Sequence, residues 1–286
     1  MKVDGLWSKI LQYLLSKGRG VDPLKRSLKR EPLFLEMLGR GLGTGPITMI
    51  SIGSSDGGEC IYAMKRKGRD VTVHLLEPDP QNLEICQQNI ARTGPEVGQV
   101  QFHQLAVSNQ VDHGYFFRNP DAPNLNSAVA TDGASERLEV EYTTLDSFIV
   151  QHQIKGPIIV NMDIEGHEVE VLEGFLEFSS KNHEVKILME VHPSLYTKDR
   201  SLERVLNKYF KLGFRSTCLE SAGVPIPEKF KEQSMQPFKI VKHRALYADP
   251  DDEFVLDAAC YEHLNPTGSD GKVSRKIVRS LLLERC

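Results

Sequence analysis

The chain lacks the cysteine spacing of a disulfide framework or a zinc module. Its five cysteines, Cys60, Cys86, Cys218, Cys260 and Cys286, are odd in number, widely separated and form no C-x-x-C pair, which argues against both. No apolar run approaches the ~18 residues that a membrane-crossing helix needs. The opening stretch MKVDGLWSKILQYLLSKGRG lacks the unbroken core and small-residue cleavage site of a signal peptide. The one N-x-S/T match, Asn265-Pro266-Thr267, is blocked by its proline. These absences set the expectation of a reducing, cytoplasmic location with no membrane anchor. Excess positive charge is missing too. A formal net charge of −4 offers no electrostatic case for a nucleic-acid partner. Basic residues do gather near the ends: Lys17, Arg19, Lys25, Arg26, Lys29 and Arg30, then Lys272, Arg275, Lys276, Arg279 and Arg285. Such runs are expected to be solvated helix faces. Internal repeats and low-complexity segments are absent.

What is present is an ordinary globular composition, 40% hydrophobic and 26% charged over 286 residues, ample for a buried core. Apolar residues at helical spacing over 6–15 and again in PLFLEMLGR predict an N-terminal helical extension, residues 1–45. The glycine-rich GLGTGP then marks a boundary. Beyond it, strands alternate with helices: ITMISIG, VTVHLLEP, VQFHQLAVS, PIIVNMD, VKILMEVH and RSTCLE, with EFVLDAACYEH as a closing strand. A hairpin-like excursion over 109–142 interrupts the alternation, and 222–250 reads as irregular. Near-continuous Val, Ile and Leu in the strands mean a mostly parallel sheet with helices on both faces. The expected fold is α/β, doubly wound and Rossmann-like, seven-stranded, spanning 46–263, with 264–286 a basic tail or helix. Its site belongs at the carboxyl ends of the strands, where strand order reverses.

The first strand runs into Gly53, Ser54, Ser55, Asp56, Gly57 and Gly58, a turn whose backbone can approach a ligand closely and whose following helix offers free N–H groups. Glu77, at the end of the second strand, is placed to accept hydrogen bonds from both hydroxyls of a ribose. The two features together point to a nucleoside-bearing cofactor. Dinucleotide folds prefer G-x-G-x-x-G, whose second glycine makes room for a pyrophosphate. Here Ser55 holds that position, which suits S-adenosylmethionine better.

The segments ISIGSSDGG, LLEPDPQNLEICQQNI, LAVSN, TTLDSF and VNMDIEGHEVEVLEGF, in that order, resemble the FkbM-type methyltransferases, class I enzymes dependent on S-adenosylmethionine that often methylate hydroxyl groups; the animal methyltransferase-like members are the ones it looks most like. The resemblance covers about residues 46–195, and DIEGHE with LEGF is its most specific part. It implies that Gly53, Ser54, Ser55 and Gly57 line the methionine end of the cofactor. It implies further that Glu77, with Pro78, holds the ribose, that Ala106 and Val107 lie against adenine, and that Asp163 stands near cofactor and acceptor. His192 is then the leading general base. Two positions depart from the family: Ser51 stands where an acid is usual, and Asn161 where a Lys is common. Loss of the acid motivates the alternative of a catalytically inactive binding or scaffold module on the same fold.

Asp163, Glu165, His167 and Glu168 crowd around Gly166 at the end of an apolar strand, where an unpartnered carboxylate is costly. Side-chain alternation lets Asn161 and Asp163 share a face of their strand, as Glu190 and His192 share a face of theirs. If these strands are neighbours, Asp163, Glu190 and His192 converge, with His192 taking a proton and a carboxylate orienting it. Glu168 reads mainly as a first-turn helix acid, and His167 as exposed. A competing use is a divalent metal, since Asp163, Glu165, His167 and His192 offer ligands suited to Mg or Mn. The acceptor is read as a small molecule or glycan, contacted by the 109–142 and 222–250 stretches.

Overall fold

The computed structural model describes residues 22–93, 99–119, 126–128, 136–222, 228–260 and 277–285. The apolar stripe at 6–15 lies outside them, as do 264–276. Helix α1 (Pro23–Arg30) begins where the Asp22 carboxylate accepts the Leu24 N–H at 3.0 Å and Pro23 presets the first turn. Helix α2 (Pro32–Gly41) follows. The alternation then runs β1 (Ile47–Ile52), α3 (Gly58–Lys67), β2 (Val71–Leu76), α4 (Pro80–Ala91) and β3 (Gln99–His103). The excursion comprises β4 (Ala106–Val107), β5 (Asp112–Arg118) and β6 (Glu136–Thr143). After it come α5 (Leu145–Gln151), β7 (Ile158–Met162), α6 (Glu168–Glu173), α7 (Leu176–Lys181), β8 (Val185–Glu190), α8 (Leu202–Lys211) and β9 (Phe214–Ser221). The described chain closes with α9 (Glu228–Glu232), β10 (Lys239–Val241), β11 (Arg244–Ala248), α10 (Asp252–Cys260) and β12 (Val278–Arg285).

The main sheet is ordered β10-β11-β9-β12-β8-β7-β1-β2-β3. From β8 to β3 its neighbours are parallel; β12 runs antiparallel between β8 and β9. Helices cover both faces. Residues of α5, α6, α8 and α10 share one apolar cluster, and those of α2, α3 and α4 share the other. Leu33, Leu35, Met37 and Leu38 of α2 pack there with Met49, Val73, Leu188 and Leu282. Order reverses at β1, so the carboxyl ends of β1 and β7 open onto the crevice where such folds bind ligands. A second, three-stranded sheet, β4-β6-β5, stands beside it. No helix among the described residues is long and apolar enough to cross a membrane.

The doubly wound α/β class is found, with corrections in detail. Among the described residues the main sheet has nine strands rather than seven, because 222–250, read as irregular, supplies the β10–β11 hairpin on the edge of β9. The expected closing strand at 253–263 is helical over Asp252–Cys260. Its buried Phe254, Val255, Ala258 and Ala259 have helical spacing, and the Asp251 carboxylate caps it by accepting the Phe254 N–H at 2.7 Å. The strand that closes the sheet is β12, so the described part of 264–286 is neither tail nor helix. Its basic residues misled because their partners are internal. Arg279 pairs with Glu31 at 2.9 Å and Glu190 at 3.0 Å, and Arg285 donates to the carbonyls of Ser179, Ser180 and Asn182.

Candidate active site

A cleft of about 570 Å³ lies at the carboxyl ends of β1, β2 and β7. Among its lining residues are Gly53, Ser55, Glu77, Pro78, Ala106, Val107 and Asp163, seven positions that the sequence singles out. Gly53 has φ +77°, and a side chain there would collide with the Asp163 carbonyl, so the β1 turn lies directly on the end of β7. Gly57, at φ +80°, starts α3 from a backbone conformation that favours glycine. Gly57 and Ser54 are not on the cleft wall. Ser54 is buried, with its Oγ 2.6 Å from Ser51 Oγ. Ser55 (φ +47°) and Glu165 (φ +49°) adopt the left-handed region without being glycine, strain of the kind that gathers at functional sites.

Glu77 is 3% exposed, and burial pushes its carboxyl up to about 8, aided by the nearby Asp79. Among the described residues its direct donors are neutral, including the Asp79 N–H at 3.0 Å, so a donor-bearing ligand would relieve a costly group. Asp79 itself caps α4 through the Gln81 N–H at 2.9 Å. It also receives the Arg118 guanidinium in a fork, Nε and Nη2 each at 2.8 Å, and Asn126 Nδ2 at 3.1 Å. That clamp holds the second sheet over the cleft, where Phe116, Asn126 and Ala128 complete the wall. The 109–142 excursion thus reaches the cleft, whereas no described residue of 222–250 lines it.

Beyond the cleft, Asp163 and His192 do converge, within a cage of four carboxylates. His192 Nε2 lies 3.4 Å from Glu165, 3.7 Å from Glu190 and 3.8 Å from Asp163. Its Nδ1 is 2.8 Å from Glu168 Oε1. Glu168 is fully buried and also accepts the Tyr196 hydroxyl at 2.9 Å and the Gly166 N–H at 3.1 Å. The Tyr196 hydroxyl in turn accepts the His192 N–H at 2.9 Å. Burial works to raise the Glu168 pKa, but the hydrogen bond and charge of His192 outweigh it and leave it below its ordinary value. Asp163 is about half open to the clefts, at 47% exposure. Its carboxyl is nonetheless held well above the usual range, by loss of hydration first and then by the charge of Glu190, with His192 opposing. Glu168 stands in the first turn of α6, as its place in the sequence implies, and it is also the residue that orients His192. The signal was the pairing of a buried acid with a strand-end histidine on separate elements, which spacing does not reveal.

His192 itself lines neither this cleft nor a second one of about 920 Å³. The second cleft shares Gly53, Ser55, Asp163 and Glu165 with the first and adds Arg26, Arg30, Asn161, Glu190 and Arg279. Asp163 thus stands on the wall common to both. Of the four ligands weighed for a metal, Asp163, Glu165 and His192 bring donor atoms within 4.8 Å of one another. His167 does not join them, and it is not exposed as expected. It lines the first cleft, with Nε2 3.1 Å from Ser108 Oγ and Nδ1 3.4 Å from Glu170. Burial keeps its pKa below the ordinary histidine value. Ser51 and Asn161, the two departures, are neighbours on β1 and β7, with Asn161 Nδ2 donating to Ser51 Oγ at 3.3 Å. The Asn161 Oδ1 is buried and has no hydrogen-bond partner among the described residues.

A family model described as "Methyltransferase FkbM domain" matches residues 51–216. That is more than half of the chain, and the chain belongs to this methyltransferase family. Among curated proteins, it is similar to "Hexuronic acid methyltransferase AglP" of Haloferax volcanii, 26% identical over 141 residues. The match spans 49% of this chain and 53% of the relative, about half the length of each. Among solved structures, a methyltransferase FkbM from Methylobacillus flagellatus is 20% identical, with a TM-score of 0.35, covering 51% of this chain and 33% of that one. An O-methyltransferase from Bacillus cereus, in complex with SAH, is 12% identical, with a TM-score of 0.41, covering 76% and 84%.

Proposed function

We propose that this methyltransferase uses S-adenosylmethionine and methylates an oxygen of a glycan or other polyhydroxylated small molecule. The observation that carries the reading is the 570 Å³ cleft, where the glycine turn, buried Glu77 and Asp163 meet from three strand ends. The residues fit the cofactor: Glu77 would accept the ribose hydroxyls, Ala106 and Val107 would flank adenine, and Gly53 and Ser55 would bound the methionine end. Bound there, S-adenosylmethionine supplies a methyl group on a sulfonium. The chain's own task is to align the acceptor oxygen and to take its proton. Asp163, on the wall common to both clefts, would hold the acceptor hydroxyl and accept that proton, and its raised pKa suits the role. His192, fixed by Glu168, would orient Asp163 and stabilise its charge. The acceptor itself would occupy the second, polar cleft. The hexuronic acid in the relative's name makes a sugar bearing a carboxylate the first acceptor to try, although Arg26 and Arg279 of this cleft are already paired with Asp56 and with Glu31 and Glu190.

Asp163, Glu165 and His192 also fit a divalent ion, which would supply Lewis acidity at the acceptor oxygen. The neutral Ser51–Asn161 pair favours a second reading, an inactive member that only binds. Incubating the chain with S-adenosylmethionine and either uronic-acid or neutral glycosides, with S-adenosylhomocysteine release as readout, separates these. Turnover with uronic acids supports the proposal. Cofactor binding without turnover on any hydroxylated acceptor supports the inactive reading.

A further inference from the structure

A second group of titratable side chains lies outside the methyl-transfer site. His74 is in the middle of β2, and His103 ends the neighbouring edge strand β3. The register pairs His74 with Gln101 and Leu76 with His103, so the two histidines share a face, two residues apart. Helix α5 lies over that face and delivers His152 at its C-terminal cap. Its Phe148 packs against all three rings, with centroids 5.6, 4.9 and 4.4 Å from those of His74, His103 and His152. Each histidine offers one ring nitrogen, and these donor atoms lie within 4.8 Å of one another.

We propose that His74, His103 and His152 bind one transition-metal ion of the imidazole-preferring kind, zinc or its analogues. The spacing carries the inference. His74 Nδ1 and His103 Nε2 are 3.1 Å apart. Zinc–nitrogen bonds of ~2.0–2.1 Å in a tetrahedron require ~3.3–3.4 Å between donors. One edge of the tetrahedron therefore stands nearly formed, and His152, whose donor lies within 4.8 Å of the other two, would move toward them to close the face. Without a metal, one ring donates its proton to the other. With a metal, that proton resides on the ring's second nitrogen, and the two rings, whose planes are 13° apart, would turn so that both lone pairs converge on the ion. No carboxylate belongs to the group among the described residues, which selects against Mg and Ca and for zinc, nickel or copper. Three protein ligands with partial exposure leave a fourth position for water. The ion would staple edge strand β3 to β2 and α5, three residues before Ala106 on the cleft wall.

The test is calorimetric titration of the metal-stripped full chain with zinc chloride near neutral pH, alongside cobalt(II) absorption spectra of the unsubstituted chain. The expected result is one equivalent of zinc and the visible bands of a four-coordinate cobalt site. His103→Gln and His152→Gln, the latter at a half-exposed helix end, should each weaken binding by roughly tenfold or more, while Asp163→Asn leaves it unchanged. No binding at millimolar metal, or binding indifferent to both histidine variants, overturns the site. Binding lost in Asp163→Asn instead assigns the ion to the carboxylate cage and overturns it equally.

Discussion

The molecule holds two histidine environments built on opposite principles. His192 stands alone among Asp163, Glu165, Glu168 and Glu190, whereas His74, His103 and His152 stand together with Phe148, with no acid in the group among the described residues. In the first, carboxylates surround the imidazole and suit proton movement. In the second, imidazoles gather without carboxylate partners, which suits an ion that prefers nitrogen ligands. The same side chain is assigned to different chemistry by its neighbours alone.

The contrast is broken most severely at Asp163. Asp163→Ala should lower methyl transfer by about 10²–10⁴-fold while circular dichroism near neutral pH shows a melt no lower than that of the unsubstituted chain, because a carboxyl held above its usual range costs stability once ionised. Full activity in that variant would displace the centre of the site. Next comes Glu168→Gln, which removes the charge that fixes His192. Turnover should fall by roughly 10–100-fold, the range seen for orienting partners, with the pH–rate profile displaced and cofactor affinity little altered. A purely structural role would lower the melting temperature without moving the profile.

Glu77 sharpens the comparison by showing burial acting on an acid. With its folded pKa near 8 and an unfolded value of ~4.3, the native state retains a proton that the unfolded chain has lost between those limits. Stability of the ligand-free protein should therefore fall as pH rises from about 4.5 to 8, and Glu77→Gln should flatten that slope. Cofactor affinity should run the other way. It rises with pH up to about 8, by at most about tenfold per unit, because the ionised carboxylate accepts the ribose hydroxyls, and Glu77→Gln should abolish the dependence. The smallest effect concerns Ser51 and Asn161. Ser51→Asp alone buries an unpaired charge and should destabilise by about 1–3 kcal/mol, and adding Asn161→Lys should recover much of it. Strict additivity in urea melts of the double variant would show that the two positions are uncoupled.

Much of this site was legible before the fold was known, for a physical reason. Gly53, Glu77 and Asp163 sit at strand ends, and a parallel α/β sheet gathers its strand ends on one edge. What escaped notice depends on contacts between elements. Glu168 reaches His192 across 24 residues, Arg118 clamps Asp79 across 39, and His167 turns inward to Ser108 across 59. The strand at 278–285 was obscured because Arg279 and Arg285 look solvated in one dimension and are internally paired in three. The helix at 252–260 was readable, since the spacing of Phe254, Val255, Ala258 and Ala259 is helical.

The central claim is that the β1 turn, Glu77 and Asp163 form a cofactor cleft. It is tested most directly by calorimetric titration of the chain with S-adenosylmethionine and with S-adenosylhomocysteine. The account predicts saturable one-site binding of both, strengthened from pH 6 to 8 and lost in Glu77→Ala. No heat at millimolar cofactor, or binding that Glu77→Ala leaves intact, would contradict it.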